Sequence, residues 1–170
     1  DQVNHGVAQY VILGAGLDTF AQRRPDVASR LRIFEVDQPG PQAWKRKRLI
    51  ECGFEIPEWL RLVPVDFETD NAWWDELVAA GFDASKPALV ASTGVSMYLT
   101  TDAIVATFRQ VASLAPGSTL AMTFLLPLEM ADPDVRIGLE FAEKGARASG
   151  TPFISFFTPG STKRWQHPQG

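Results

Sequence analysis

One cysteine, two histidines and two tyrosines are all that the 170 residues hold of those types. The lone Cys52 excludes an internal disulfide and a multi-cysteine metal site, and a reducing, cytoplasmic compartment is the expectation. His5 and His167 both lie near the termini, which argues against a Ser-His-Asp hydrolase and a histidine zinc centre. No bound metal is expected. Positive charge is also scarce: 16 Lys and Arg stand against 20 Asp and Glu, a formal charge of −4. That balance disfavours nucleic acid or anionic lipid as a bulk partner. Apolar runs are too short to span a bilayer. The opening Asp1-Gln2-Val3-Asn4-His5 lacks the basic region and apolar run of a targeting segment. It also lacks a Met and comes only a few residues before the first strong strand, so a fragment is expected.

Apolar residues make up 45% of the chain and charged residues 21%, which suits one folded domain over 1–170. A domain near this size hides roughly two-thirds of its unfolded surface. Apolar runs alternate with helical patterns. Strands are predicted at Tyr10–Leu13, Arg32–Val36, Arg61–Val65, Ala88–Ala91 and Leu120–Leu126. Pro64 weakens the third, because proline lacks a ladder N–H. A weak helix over 19–30 is kinked by Pro25. Further helices are expected from Pro39 to Cys52 with Gly53 as the stop, and from a cap at Asn71 to about Ala80. The clearest helix starts at Thr100 or Thr101, keeps Ile104, Val105, Phe108, Val111 and Ala112 on one face, and ends at Pro116-Gly117. A last helix runs from about Pro133 to Ala148, and the tail 151–170 reads as irregular. This alternation implies an α/β fold with a doubly wound, mostly parallel sheet. Such sheets bind ligands beyond the carboxyl ends of their strands.

The first strand runs into Gly14-Ala15-Gly16-Leu17-Asp18-Thr19. Gly14 and Gly16 let the backbone turn sharply and approach a ligand. A dinucleotide fingerprint needs a third glycine where Thr19 stands, and no Lys-Ser/Thr pair follows to make a phosphate loop. A plain turn, with Asp18 or Thr19 as helix cap, is the alternative. The second strand ends in Glu35-Val36-Asp37, and Asp37 lies 21 positions beyond Gly16. A carboxylate accepts two hydrogen bonds at once and matches a ribose diol at this distance from a glycine turn. Alternation puts Glu35 on the same face as Asp37, as a second binder or a support. The competing role for Asp37 is a cap on the Pro39 helix. After the third strand, Asp66 suits the exocyclic amine of an adenine, with Phe67 covering the base and its N–H donating to the ring. A turn Asp and a core Phe are the alternative there.

Ser92-Thr93-Gly94-Val95-Ser96-Met97-Tyr98-Leu99 follows the fourth strand and is not a nucleophile elbow. Met97 and Tyr98 read as wall residues. Lys45-Arg46-Lys47-Arg48 fans around a helix and reads as a solvated face. Trp73-Trp74 and Phe153–Phe157 read as core or subunit contacts, although the Phe cluster also suits an apolar substrate pocket.

Taken together, Leu13-Gly14-Ala15-Gly16-Leu17-Asp18-Thr19, Phe34-Glu35-Val36-Asp37-Gln38-Pro39, Val65-Asp66-Phe67 and Gly94-Val95-Ser96-Met97-Tyr98-Leu99 resemble the S-adenosylmethionine-dependent methyltransferases related to leucine carboxyl methyltransferase. The closest likeness is to a bacterial branch with unassigned substrates. The resemblance runs over nearly the whole chain. It implies a class I methyltransferase sheet, with S-adenosylmethionine as cofactor. It places Gly14 and Gly16 under the methionine and ribose part, Asp37 on the ribose hydroxyls, and Asp66 with Phe67 on the adenine. Two departures stand out. Thr93 occupies a position where the family usually carries a Glu near the cofactor. Relatives also have a helical segment before the first strand, often with an Arg for the cofactor carboxylate, and further strands after the fifth. A sheet truncated in this way is expected to leave an open edge and an uncovered apolar face.

The function expected is O-methyl transfer to a hydroxyl or carboxylate of a small-molecule substrate, with no catalytic residue assigned. A cofactor-binding scaffold without catalysis is the alternative, and a nicotinamide-dependent oxidoreductase a more distant one. Neither the methyl acceptor nor the oligomeric state is legible.

Overall fold

A computed structural model describes residues 2–67 and 72–161. Five strands form one parallel sheet: β1 (Gln9–Leu13), β2 (Arg32–Asp37), β3 (Leu60–Pro64), β4 (Ala88–Ser92) and β5 (Thr119–Met122). Their order is β3-β2-β1-β4-β5. The chain therefore reverses direction across the sheet between β1 and β4, which makes their carboxyl ends the switch point of a doubly wound fold. Register puts Leu13 beside Val36, Ile12 beside Ala91 and Asp37 beside Pro64. Pro64 is tolerated because β3 is an edge strand.

The helices are α1 (Phe20–Arg23), α2 (Pro25–Ala28), α3 (Pro39–Glu51), α4 (Ala72–Ala79), α5 (Thr101–Ala112) and α6 (Pro133–Ala148). The weak helix expected over 19–30 is two single turns. Pro25 opens the second at a position where its missing N–H costs nothing. The Thr100 hydroxyl caps α5 by accepting from Ala103 N. Asn71 and the end of the tail, 162–170, lie outside the described residues. β5 stops at Met122 rather than Leu126. Its partner β4 ends opposite, at Ser92, and Thr123 N donates to Ser92 O as the last rung. The tail is irregular as far as it is described, apart from a single turn near Pro159.

Burial in the central strands is nearly continuous, and the side of the sheet on which residues pack alternates with a period of two. Val11, Leu13, Phe34, Val36 and Val90 pack on one side of the sheet with Trp73, Leu77 and Phe82. Ile12, Ile33 and Leu60 pack on the other with Ala21 and Ala28. Trp73 is thus a core residue. A third cluster joins Val95, Leu99 and Ile104 to Phe157, which carries the tail back onto the domain. α6 leaves Val135, Ile137 and Phe141 exposed. Among the described residues no helix is long and apolar enough to cross a membrane.

The basic run needs a correction. Arg46, Lys47 and Arg48 are exposed, but Lys45 is buried and ion-paired to the fully buried Glu35 at 2.5 Å. α3 lies against β2 there, and Gln42 Nε2 donates to Glu35 O. Lys45 can sit inside because its charge meets a carboxylate, the condition on which buried charges are tolerated. Glu35 Oε1 has no hydrogen-bond partner, and burial pushes the carboxyl above its ordinary range, against the pull of Lys45.

Candidate functional site

The bend after β1 is built from hydrogen bonds to β2. Gly14 N and Ala15 N both donate to Val36 O, at 2.8 and 3.1 Å. Gly14 has φ +67, and a Cβ there would meet Val95 Cγ2 at 2.3 Å. Glycine is therefore required on two counts, backbone conformation and space. Gly16 also turns through positive φ, at +47. Its N–H donates to Asp37 Oδ2, closing the 21-residue interval between them. Asp37 Oδ1 accepts from Gln38 N at 2.7 Å, and Asp37 makes no side-chain cap to α3. Asp18 Oδ1 accepts Phe20 N at 2.7 Å, and Thr19, the N-cap of α1, makes no side-chain cap bond.

Gly14, Asp37 and Phe67 line one cleft of about 470 Å³ at the carboxyl ends of the strands. Phe67 is half-buried, packed between two core clusters. Gly16 joins this group through Asp37. Asp66 is exposed and is not among the cleft's described lining. The rest of the lining comes from Gly94, Val95, Tyr98 and Leu99 and from Gly150, Thr151, Pro152 and Ile154. Gly94 N is held by Thr123 Oγ1 at 2.8 Å. Thr93 is exposed beside it.

Tyr98 is a wall residue, as its surroundings in the sequence suggested. Ile154 falls within the Phe153–Phe157 stretch that also suited an apolar pocket, whereas Gly150, Thr151 and Pro152 carried no such expectation. The only sequence signal of that stretch is the cluster of phenylalanines, which fits a core as well as a pocket. A second cavity of about 470 Å³ lies against the start of β1, lined by Val3, Tyr10, Phe20, Arg24 and Leu31 among others. It lies away from the glycine bend, and its Arg24 is engaged by Asp26. The cleft at the strand tips is the better site, because acceptor groups and close-approach glycines meet there. No group of three or more metal-ligating side chains occurs among the described residues.

The parallel sheet with its ligand crevice at the β1/β4 switch point is the fold of class I S-adenosylmethionine-dependent methyltransferases. The family model described as leucine carboxyl methyltransferase matches residues 1–112, and the chain belongs to that family. The chain is 36% identical over 154 residues to YktD of Bacillus subtilis, an inferred S-adenosyl-L-methionine-dependent methyltransferase. That match covers 90% of this chain and 50% of YktD, so the chain spans about half the length of this relative. Among solved structures, a DUF574 family protein of Streptomyces avermitilis superposes with a TM-score of 0.70 at 20% identity, covering 95% of this chain and 61% of that one. An inferred methyltransferase of Thermobifida fusca gives 0.67 at 22%, covering 97% and 60%. At these identities the two structures speak for the fold.

Proposed function

We propose that the chain binds S-adenosylmethionine in the cleft at the strand tips and directs methyl transfer to an oxygen of a small-molecule hydroxyl or carboxylate. The observation that carries this reading is the Gly16–Asp37 hydrogen bond, which joins the glycine bend to a carboxylate at the mouth of the cleft. Each Asp37 oxygen accepts one backbone N–H and keeps a lone pair for a further donor. A ribose diol presents two such donors. Gly14 and Gly16 let the backbone pass close beneath the methionine and ribose portion. Phe67, in the lining of the cleft, can cover a base; Asp66, proposed for the exocyclic amine, precedes it but is exposed and outside that lining.

When bound, the cofactor supplies a methyl carbon on a sulfonium, so an acceptor lone pair forms the new bond while sulfur retains the electron pair of the broken one. The chain's work is then to hold the acceptor in line, and positioning of this kind contributes about 7–11 kcal/mol. Among the described residues lining the cleft there is no His or Lys, and Asp37 is the sole carboxylate. A carboxylate acceptor is already ionised at neutral pH and needs no base. That favours it over a neutral hydroxyl.

Calorimetric titration with S-adenosylhomocysteine tests the binding step. Saturable heat is expected. No heat at about 1 mM ligand, where affinity is too weak to matter, overturns the reading. Thr93, at the position of the family's usual Glu, favours a second reading, a cofactor-binding protein without catalysis. Binding of S-adenosylmethionine with no methyl transfer to a broad panel of carboxylates and hydroxyls distinguishes it.

A further inference from the structure

We infer that the turn carrying Tyr98 and the tail strap over 150–157 form the acceptor side of the cleft, and that they select an acceptor with an apolar body. This rests on the methyltransferase reading and goes further, to the substrate class. The lining of the cleft falls into two chemical sets: Gly14, Asp37 and Phe67, with its one carboxylate, and Tyr98, Pro152 and Ile154, with no charged side chain. Tyr98 is 42% exposed and Ile154 51%.

These apolar groups are exposed on backbone that is pinned. Ile154 N and Ser155 N both donate to Met97 O, at 2.8 and 3.3 Å. Ser155, itself buried, donates from Oγ to Leu99 O at 2.6 Å. Phe157 N donates to Leu125 O, and its ring enters the third core cluster. The Phe153 ring meets Tyr98 edge-on, with centroids 5.3 Å apart. These bonds present the apolar surface of Tyr98 and Ile154 to the cleft. The chain gains by covering that surface with a ligand, since apolar area taken from water is stabilised in proportion to its extent. Continuity with the cofactor residues of the same cleft makes that ligand the acceptor.

The test uses 2-naphthoate, which joins an ionised oxygen to an apolar body, and glycolate, which has the oxygen without the body. Each is titrated into the chain with and without S-adenosylhomocysteine. Naphthoate is expected to bind at least tenfold more tightly than glycolate. Ile154→Ser and Tyr98→Ala are expected to weaken naphthoate at least fivefold, and by more than they weaken S-adenosylhomocysteine. Thermal melts of the two variants confirm that both remain folded. Equal affinity for the two acids, or naphthoate binding untouched in both variants, overturns the inference. No saturable S-adenosylhomocysteine binding by the parent chain, with naphthoate bound as expected, sinks the cofactor reading instead, so the two failures are separable.

Discussion

Replacing Lys45 by Met is the sharpest single perturbation this fold allows. Lys45 and Glu35 are 5% and 1% exposed at their side chains, and Nζ meets Oε2 at 2.5 Å. Removing the ammonium leaves a carboxylate in the core with Oε1 already unpartnered. Breaking a buried pair from one side costs about 3–5 kcal/mol, because the remaining charge is uncompensated. For a domain with a total stability of roughly 5–15 kcal/mol, that is a large fraction. The loss depends on pH. Burial already pushes the Glu35 carboxyl upward, Lys45 pulls it down, and Asp18 and Asp37 push it further up. Without Lys45 the folded-state value rises again. A group raised on folding takes up a proton, so its neutral form stabilises the fold fully below the ordinary carboxylate value and loses that contribution as pH climbs through the raised one. Urea unfolding of Lys45→Met should therefore show its greatest deficit near pH 8 and a smaller one at about pH 5. The double variant Glu35→Leu/Lys45→Met should recover most of the stability, since an apolar pair of similar volume needs no desolvation of charge. A deficit under about 1 kcal/mol in Lys45→Met, or one equal at both pH values, refutes the account.

Asp37→Ala should weaken S-adenosylhomocysteine binding by roughly 1.5–3 kcal/mol, the range for hydrogen bonds to a charged group; unchanged calorimetric affinity rejects its proposed ribose role. Gly14→Ala should lower the melting temperature, with a strain of about 1–2 kcal/mol for positive φ before the contact with Val95 is counted; a melt matching the parent would mean that the bend relaxes freely. Ser155→Ala should cost about 1–3 kcal/mol by leaving the Leu99 carbonyl unsatisfied, and limited proteolysis should then cut near 150–157 faster than in the parent. An unchanged cleavage rate would mean that the backbone bonds to Met97 O and Leu125 O, with the Phe157 ring, suffice to hold the strap.

The sequence by itself determined the sheet and the line of its chemistry. Buried parallel strands read as apolar runs, so Val11 to Leu13 and Ile33-Phe34 announce themselves, although the charged Glu35 interrupts the second before Val36. The glycines and Asp37 stand where local backbone geometry and a fixed spacing demand them, and the bond between Gly16 and Asp37 follows from two adjacent parallel strands. Only the tertiary structure decided which member of the basic run goes inside. Lys45 carries the same charge as its neighbours, and its burial depends on α3 lying with that one position over Glu35. It also decided where β5 ends, because a strand lasts only as long as its partner, and β4 is spent at Ser92. The joining of the Tyr98 turn to the tail was not legible for the same reason: Ser155 reaches Leu99 across 56 positions, and no local pattern encodes a contact that exists only once the chain has folded back on itself.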